Sequence, residues 1–409
     1  MDSRSVPQQS RGRVLIVGGS TRAAAWSAVR AGWQPVCADL FADLDTHQVA
    51  EVIPVRDYPW SLPDDVAGVQ AEGWFYTGAL ENHPGIIERL AQPDASYGPL
   101  WGTTAVGLRL VRDPFWLATT LCDAGLPALE VEPETAMPPA DGTWMQKPFA
   151  SAGGRAIRVW DKFAAETPFT ESHYFQRRAV GESCSAVFRV ESHGVERLGA
   201  SRQFINLAES HAAMPFAYCG SIGPIDRPTG SGMLTNAVRQ MLTRMAETVA
   251  QAGFLRGLFS IDFLLDGEQV WPTEINPRYT ASMEILELSS GRPLLPTHSG
   301  HVGNGNGECA VNATTPFVAK VILYAPRRFT APDLSHFLLG TSPWQTPLLA
   351  DIPAPGVIIE AEWPICTVFA DGQSFVECRD RVIQQSNKMG SSGECVLRKC
   401  FISPEGDRS

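Results

Sequence analysis

The sequence lacks most of the short signatures that settle a function at once. Its nine cysteines never fall as CxxC and its eight histidines never as HxxxH, so a zinc site is not expected. An odd number of scattered cysteines points instead to free thiols in a reducing, cytoplasmic setting. No stretch approaches the roughly 18 consecutive apolar residues of a membrane span. The first twelve residues are polar with no apolar centre, which fits a disordered tail rather than a signal peptide. Basic residues are in deficit, 33 Lys and Arg against 44 Asp and Glu, for a net charge of -11. That balance argues against a dedicated nucleic-acid binder. No GxGxxG follows the first strand, and no Ser-His-Asp or Cys-His constellation stands out for nucleophilic catalysis.

What is present reads as an α/β protein. The chain has 409 residues, 44% hydrophobic and 19% charged, enough for roughly two to four domains of ordinary globular composition. Arg13 to Val17 is an apolar strand, Thr21 to Ala31 a helix stopped by Gly32, and Gln34 to Ala38 a second strand. This strand-helix-strand order opens a doubly wound, Rossmann-like domain. Asp39, Asp43 and Asp45 read as a solvated acidic loop rather than a metal cluster. Trp74 to Tyr76 is another strand, and Glu81 and Asn82 follow its carboxyl end, where such sheets bind ligands. Either could touch a substrate, or Asn82 could cap a helix. A helix starts with Asp113-Pro114 and stops at Gly125 and Pro127. Trp144 to Pro148 is a short strand that presents Lys147. It leads into Ser151-Ala152-Gly153-Gly154, whose small residues would let backbone amides approach an anion; a plain hairpin turn is the alternative. His173 to Arg178 and Ser183 to Val190 are strands joined by an extended crossover. Thr235 to Ala252 is an amphipathic helix. His301 to Gly307 is glycine-rich and expected to be mobile. A last unit begins near Phe317, with a helix near Leu334, strands around Val357 to Glu360 and Cys366 to Phe369, and a polar tail after about Asn387.

The most informative stretch runs from Asp262 to Arg278. Two apolar runs flank Asp266-Gly267, a strong hairpin signal. Glu274 and Asn276 lie two apart on the second strand and so share a face. The hairpin can bring Asp262 on the first strand back beside them. Two carboxylates and an amide oxygen suit Mg²⁺, which takes one or two carboxylates plus substrate phosphates. Arg278 adds a fork that grips phosphate or carboxylate. Ordinary polar residues on a partly exposed hairpin would look the same in sequence.

Taken in order, Lys147, the Ser151 to Gly154 loop, the Gln176 to Glu182 crossover and Asp262…Glu274-x-Asn276-x-Arg278 resemble the ATP-grasp superfamily. The Glu-x-Asn pair and the Asn-Pro-Arg end are similar to the biotin carboxylase and carboxylate-amine ligase branch. Asp39-Leu40-Phe41-Ala42-Asp43, Glu81-Asn82-His83-Pro84, Gly220 to Pro224 and Asp351-Ile352-Pro353 through Thr367 to Ala370 resemble its predicted carboligase group. The resemblance spans roughly residues 11 to 385, and it is the ordered series rather than any one motif that is specific. It implies an ATP-grasp fold with a Rossmann-like domain over 11–110, an ATP-grasp domain over 111–310 whose lid covers about 140–178, and a small β-rich C-terminal domain over 311–390.

The roles implied by the resemblance are specific to residues. Lys147 would hold the α- and β-phosphates, and Ser151, Gly153 and Gly154 would close over them. Gln176 and the backbone near Ala179 would meet adenine, and Glu182 the ribose. Asp262, Glu274 and Asn276 would bind Mg²⁺ or Mn²⁺. Arg278, and more weakly Arg202, would steady the transferred phosphoryl group. Two positions depart from the family pattern. Pro114 stands where a first lysine often follows Asp113, so ATP would rest on Lys147 alone. Ser282 stands where biotin carboxylases carry a glutamate base, which disfavours bicarbonate-dependent carboxylation. The implied activity is an ADP-forming ligase joining a small-molecule carboxylate to an amine through an acyl phosphate, in a cytoplasmic homodimer. A kinase on the same scaffold and a non-catalytic nucleotide-binding protein are the alternatives.

Overall fold

A computed structural model describes residues 12–226, 234–296, 315–338 and 342–391. The N-terminal tail and the glycine-rich stretch His301 to Gly307 lie outside the described residues. Strands β1 (Arg13–Gly18), β2 (Gln34–Asp39), β3 (Glu51–Pro54) and β4 (Trp74–Tyr76) form a parallel sheet in the order β3-β2-β1-β4. β1 and β4 are nearly fully buried and almost continuously apolar, as strands covered on both faces must be. The helix Arg22–Arg30 connects β1 to β2. This is the doubly wound opening that the sequence predicts.

The second unit is β5 (Val131–Pro133), β6 (Asp141–Pro148), β7 (Arg158–Asp161) and β8 (His173–Arg177), an antiparallel sheet in the order β5-β8-β6-β7. The remaining strands are β9 (Glu182–Glu191), β10 (Gly194–Ile205), β11 (Tyr218–Gly223), β12 (Gly257–Asp266), β13 (Gln269–Asn276), β14 (Phe317–Tyr324), β15 (Phe329–Thr330), β16 (Leu349–Ala350), β17 (Ile358–Ile359) and β18 (Pro364–Gly372). Apart from the small β15-β17 pair, they make one eight-stranded antiparallel sheet, β13-β12-β9-β10-β11-β14-β18-β16. The helix Asn236–Ala252 lays Val238, Leu242, Met245 and Val249 against Phe188, Phe259 and Phe263 of this sheet. That spacing is one helical face.

Three differences from the sequence reading have physical causes. Apart from the two-stranded β15-β17 pair, the strands beyond residue 317 have no sheet of their own: β14 hydrogen-bonds to β11, so β14, β18 and β16 extend the large sheet. Near Leu334 there is a single 3₁₀ turn, Ser335–Phe337, and the C-terminal helix is instead Phe375–Ser391, which runs past Asn387. Its buried stripe includes Cys378, Val382 and Ser386, and the polar members of that stripe mask the helical period. The acidic residues at 39, 43 and 45 are buried rather than solvated. Asp39 accepts from the Thr21 amide and hydroxyl and from the amides of Phe41 and Ala42. Asp45 accepts from the amides of Asp351 and Ile352. Burial, and then the neighbouring Asp351 charge, push the Asp43 carboxyl well above the usual range.

Asp45 belongs to an ionic network that clamps the first unit onto the rest. Arg22 pairs with Glu284, with Asp351 at 2.9 Å and with Asp45 at 3.6 Å, and Lys320 of β14 reaches Glu284 at 2.9 Å. Arg30 holds Glu287 at 2.8 Å. Such a network is indispensable once built, because removing one partner strands the others in a dry interior. Arg22→Ala is therefore expected to lower unfolding free energy by about 3–5 kcal/mol in urea titration. A loss below about 1 kcal/mol would place the clamp elsewhere.

Candidate active site

β12 and β13 pair in antiparallel register, with Asp266 opposite Gln269. The loop is therefore Gly267-Glu268, and Gly267 has φ +59°, the first-position glycine that a II′ turn needs. A bulge between Asp262 and Phe263 sets Asp262 directly across from Glu274. The extra residue, Thr273, donates its hydroxyl to the Asp262 carbonyl at 3.0 Å. The three oxygen-bearing side chains thus converge as expected. The Asn276 amide nitrogen donates to Asp262 Oδ2 at 3.1 Å and to Glu274 Oε1 at 3.2 Å.

The electrostatics follow from that geometry. Burial, and then the Glu274 charge, push Asp262 up to about 7, as expected for two carboxylates sharing a site. Burial alone would raise Glu274 too, but Arg112 and Lys147 more than offset it and hold Glu274 below its usual value. One acid is therefore charged and its neighbour sits close to neutrality. A hard cation fits here: two carboxylates and one amide form the donor set, and a half-turn of the Asn276 amide aims its oxygen at the same point. Among the described residues no group of three or more His, Cys, Asp or Glu side chains could hold a metal ion, so the amide and a substrate's own oxygens must complete any shell.

The hairpin forms one wall of a cavity of about 730 Å³, a size typical for a small-molecule site. All twelve side chains and backbone positions expected from the sequence line it. Lys147 extends from β6 and donates to Gln176 Oε1 of β8 at 3.1 Å. The Gln176 amide nitrogen reaches the Thr273 carbonyl at 3.4 Å, so this glutamine ties the lysine to the β12–β13 hairpin. The β6–β7 connection spans 149–157, longer than a plain turn. Gly153 and Gly154 have φ +64° and +82°, and the Gly153 carbonyl accepts from the Tyr218 amide at 3.0 Å. A Cβ on Gly154 would lie 1.8 Å from the Phe216 carbonyl oxygen, so only glycine allows the loop to dock there. Ala179 lies in the crossover at the cavity wall. Glu182 pairs with Arg202 at 2.5 Å, so those two side chains form one unit, and Arg278 has a different partner.

That partner is Glu81, whose Oε1 accepts from Arg278 Nη2 at 2.6 Å. Thr77 bridges Tyr279 backbone to backbone, which carries the loop after β4 onto Arg278. Asn82 is not a helix cap: its amide donates to the Ser151 carbonyl at 3.1 Å. Arg22 lies in the clamp and is absent from the cavity lining. Arg112 is the cation that sequence reading passes over. It reaches Glu274 at 3.2 Å and Asn82 at 3.4 Å. A lysine is missing after Asp113, but Asp113 caps the helix Pro114–Asp123, and the residue on its other side points into the site. No spacing rule on one sequence would have selected it.

A divalent cation bound at the hairpin would have to displace the Asp262 proton. Mn²⁺ affinity, followed by electron paramagnetic resonance, is expected to fall up to about tenfold per pH unit below about pH 7 and to level off above it. Affinity that is flat between about pH 5.5 and pH 8 would contradict this pairing.

A model of the ATP-grasp domain matches residues 115–282. No curated protein matches the chain by sequence. Solved structures resemble it at low identity. The N5-carboxyaminoimidazole ribonucleotide synthetase of Thermus thermophilus is 15% identical with a TM-score of 0.63, over 93% of this chain and 99% of that one. The biotin carboxylase of Campylobacter jejuni is 14% identical with a TM-score of 0.64, over 94% and 97%. The biotin carboxylase domain of Hydrogenobacter thermophilus 2-oxoglutarate carboxylase, solved with MgADP and bicarbonate, is 14% identical with a TM-score of 0.65, over 90% and 88%. Residues 115–282 are an ATP-grasp domain, and the chain as a whole has the ATP-grasp fold.

Proposed function

We propose that this chain is an ATP-dependent, ADP-forming ligase that activates a small carboxylate and joins it to an amine. The observation that carries the reading is the facing of Asp262, Glu274 and Asn276 with Lys147 and the Gly153-Gly154 loop across a single cavity. Nucleotide complexes of the similar folds, one with MgADP, lend support. In this reading Lys147 and the loop amides hold ATP phosphates, the apolar Leu117, Leu129, Met145 and Leu264 flank the base, and the Glu182–Arg202 unit meets the ribose. Asp262, Glu274 and Asn276 would hold Mg²⁺, which when bound neutralises charge on the phosphates. No helix among the described residues is long and apolar enough to cross a membrane, which fits small-molecule substrates reached from water. A homodimer, cytoplasmic placement and the domain limits 11–110, 111–310 and 311–390 remain part of the proposal.

The chemistry asks little covalent work of the protein. A substrate carboxylate oxygen forms a bond to the γ-phosphorus as the bond to the β-phosphate oxygen breaks and ADP leaves. Arg278 steadies the acyl phosphate, and the amine then displaces phosphate. Catalysis here is positioning and charge compensation. The 149–157 loop, tied to Asn82 and Tyr218, would exclude water that would otherwise hydrolyse the acyl phosphate. Ser282 lines the cavity as a neutral hydroxyl, which favours an amine acceptor over bicarbonate chemistry needing a carboxylate base there.

A screen of carboxylate and amine pairs, scored by ADP release and product mass, tests the reading. Asp262→Ala and Glu274→Ala are each expected to lower Mg²⁺-dependent turnover by at least about 100-fold. A parent protein with no Mg²⁺-dependent turnover would refute the enzyme. A stable phosphorylated product, with no second substrate consumed, would make it a kinase.

A further inference from the structure

An amine at neutral pH is mostly an ammonium, and it cannot attack carbon until it loses a proton. Some group at the site must take that proton. Among the described residues, the cavity is lined by four acids and by no histidine or cysteine. Three of the acids have other employment. Glu182 is bound to Arg202, and Asp262 and Glu274 form the hairpin pair. The position where biotin carboxylases carry a glutamate base is Ser282 here.

The fourth acid is Glu81. It comes from the loop after β4, in a different unit from the hairpin, and its side chain is only 1% exposed. Oε1 is held by Arg278, while Oε2 has no hydrogen-bond partner among the described residues. A carboxylate oxygen without a donor in a water-poor site is costly, and such an oxygen at a cavity wall calls for a donor brought by a ligand. Arg278 Nε is likewise buried without a partner. One ion pair thus presents an unmet acceptor and an unmet donor side by side. Gly78 permits this closeness: a Cβ there would come within 3.0 Å of the Arg278 guanidinium carbon.

We propose that Glu81 is the acceptor-amine subsite: its free oxygen binds a primary ammonium and takes the proton as nitrogen attacks the acyl phosphate. The assignment rests on the ligase reading above. The ammonium gives one proton to Glu81 Oε2, the freed nitrogen lone pair forms the C–N bond, the bond from acyl carbon to phosphate oxygen breaks, and inorganic phosphate leaves beside Arg278 carrying the second nitrogen proton. The chemical class of acceptor follows. It is a primary amine that is charged in solution, not an alcohol, a thiol or bicarbonate.

Hydroxylamine separates the two steps, because it is uncharged at neutral pH and attacks acyl phosphates without a base. The full-length protein is given Mg²⁺, ATP and a panel of simple mono- and dicarboxylates and L-amino acids. Hydroxamate formation is read with hydroxylamine, and product by mass with the same amino acids as amine donors. In Glu81→Gln, which retains an acceptor for Arg278, the amine-dependent rate is expected to fall at least about 100-fold further than the hydroxamate rate, the usual weight of a general base. Raising the pH should recover part of the amine-dependent rate in Glu81→Gln, since a neutral amine no longer needs the base. Equal losses in both rates, or none in either, would overturn the assignment while leaving the ligase reading intact. No hydroxamate with the parent protein would overturn the ligase reading and the assignment with it.

Discussion

Two acidic side chains that would repel each other in water are held face to face on β12 and β13, and the rest of the site is arranged around that contact. Asp262 and Glu274 are opposed by a bulge in the strand register. Asn276 bonds to both, and two cations, Arg112 and Lys147, approach from other elements. A protein interior tolerates such a concentration of like charge only when cations or protons compensate it. The compensation here is partial and can be replaced, since Asp262 titrates near neutrality and Arg112 is held by one side-chain contact to Glu274.

The two sheets and the N-terminal unit each contribute one side of the cavity. Lys147 and the 149–157 loop come from the small antiparallel sheet, the acids and Arg278 from the edge of the large one, and Glu81 from the loop after β4. The buried Arg22 clamp and the Thr77–Tyr279 bridge hold the N-terminal unit against Arg278. Asn82 then reaches across to the Ser151 carbonyl.

Much of this was legible in the residues themselves. The hairpin was readable because Asp-Gly between apolar runs fixes a turn, and a period of two then fixes which side chains share a face. The parallel opening was readable from buried, continuous apolar strands. What could not be read was any contact between elements distant in the chain. Arg112 meets Glu274 across 162 positions, and Arg22 meets Asp351 across 329. The acidic residues at 39, 43 and 45 looked solvated because their charge gives no local hint of Arg22. The helix Phe375–Ser391 was hidden because Cys378 and Ser386 occupy places where larger apolar residues would have shown the period.

The central claim is that the hairpin acids and Lys147 hold a metal-bound triphosphate between them. A crystal structure grown with Mg²⁺ and a non-hydrolysable ATP analogue tests it most directly. The account predicts a cation about 2.0–2.1 Å from oxygens of Asp262, Glu274 or Asn276, with phosphate oxygens completing its shell and Lys147 on the same phosphates. A nucleotide bound elsewhere, or a cation that leaves all three hairpin side chains untouched, would contradict it.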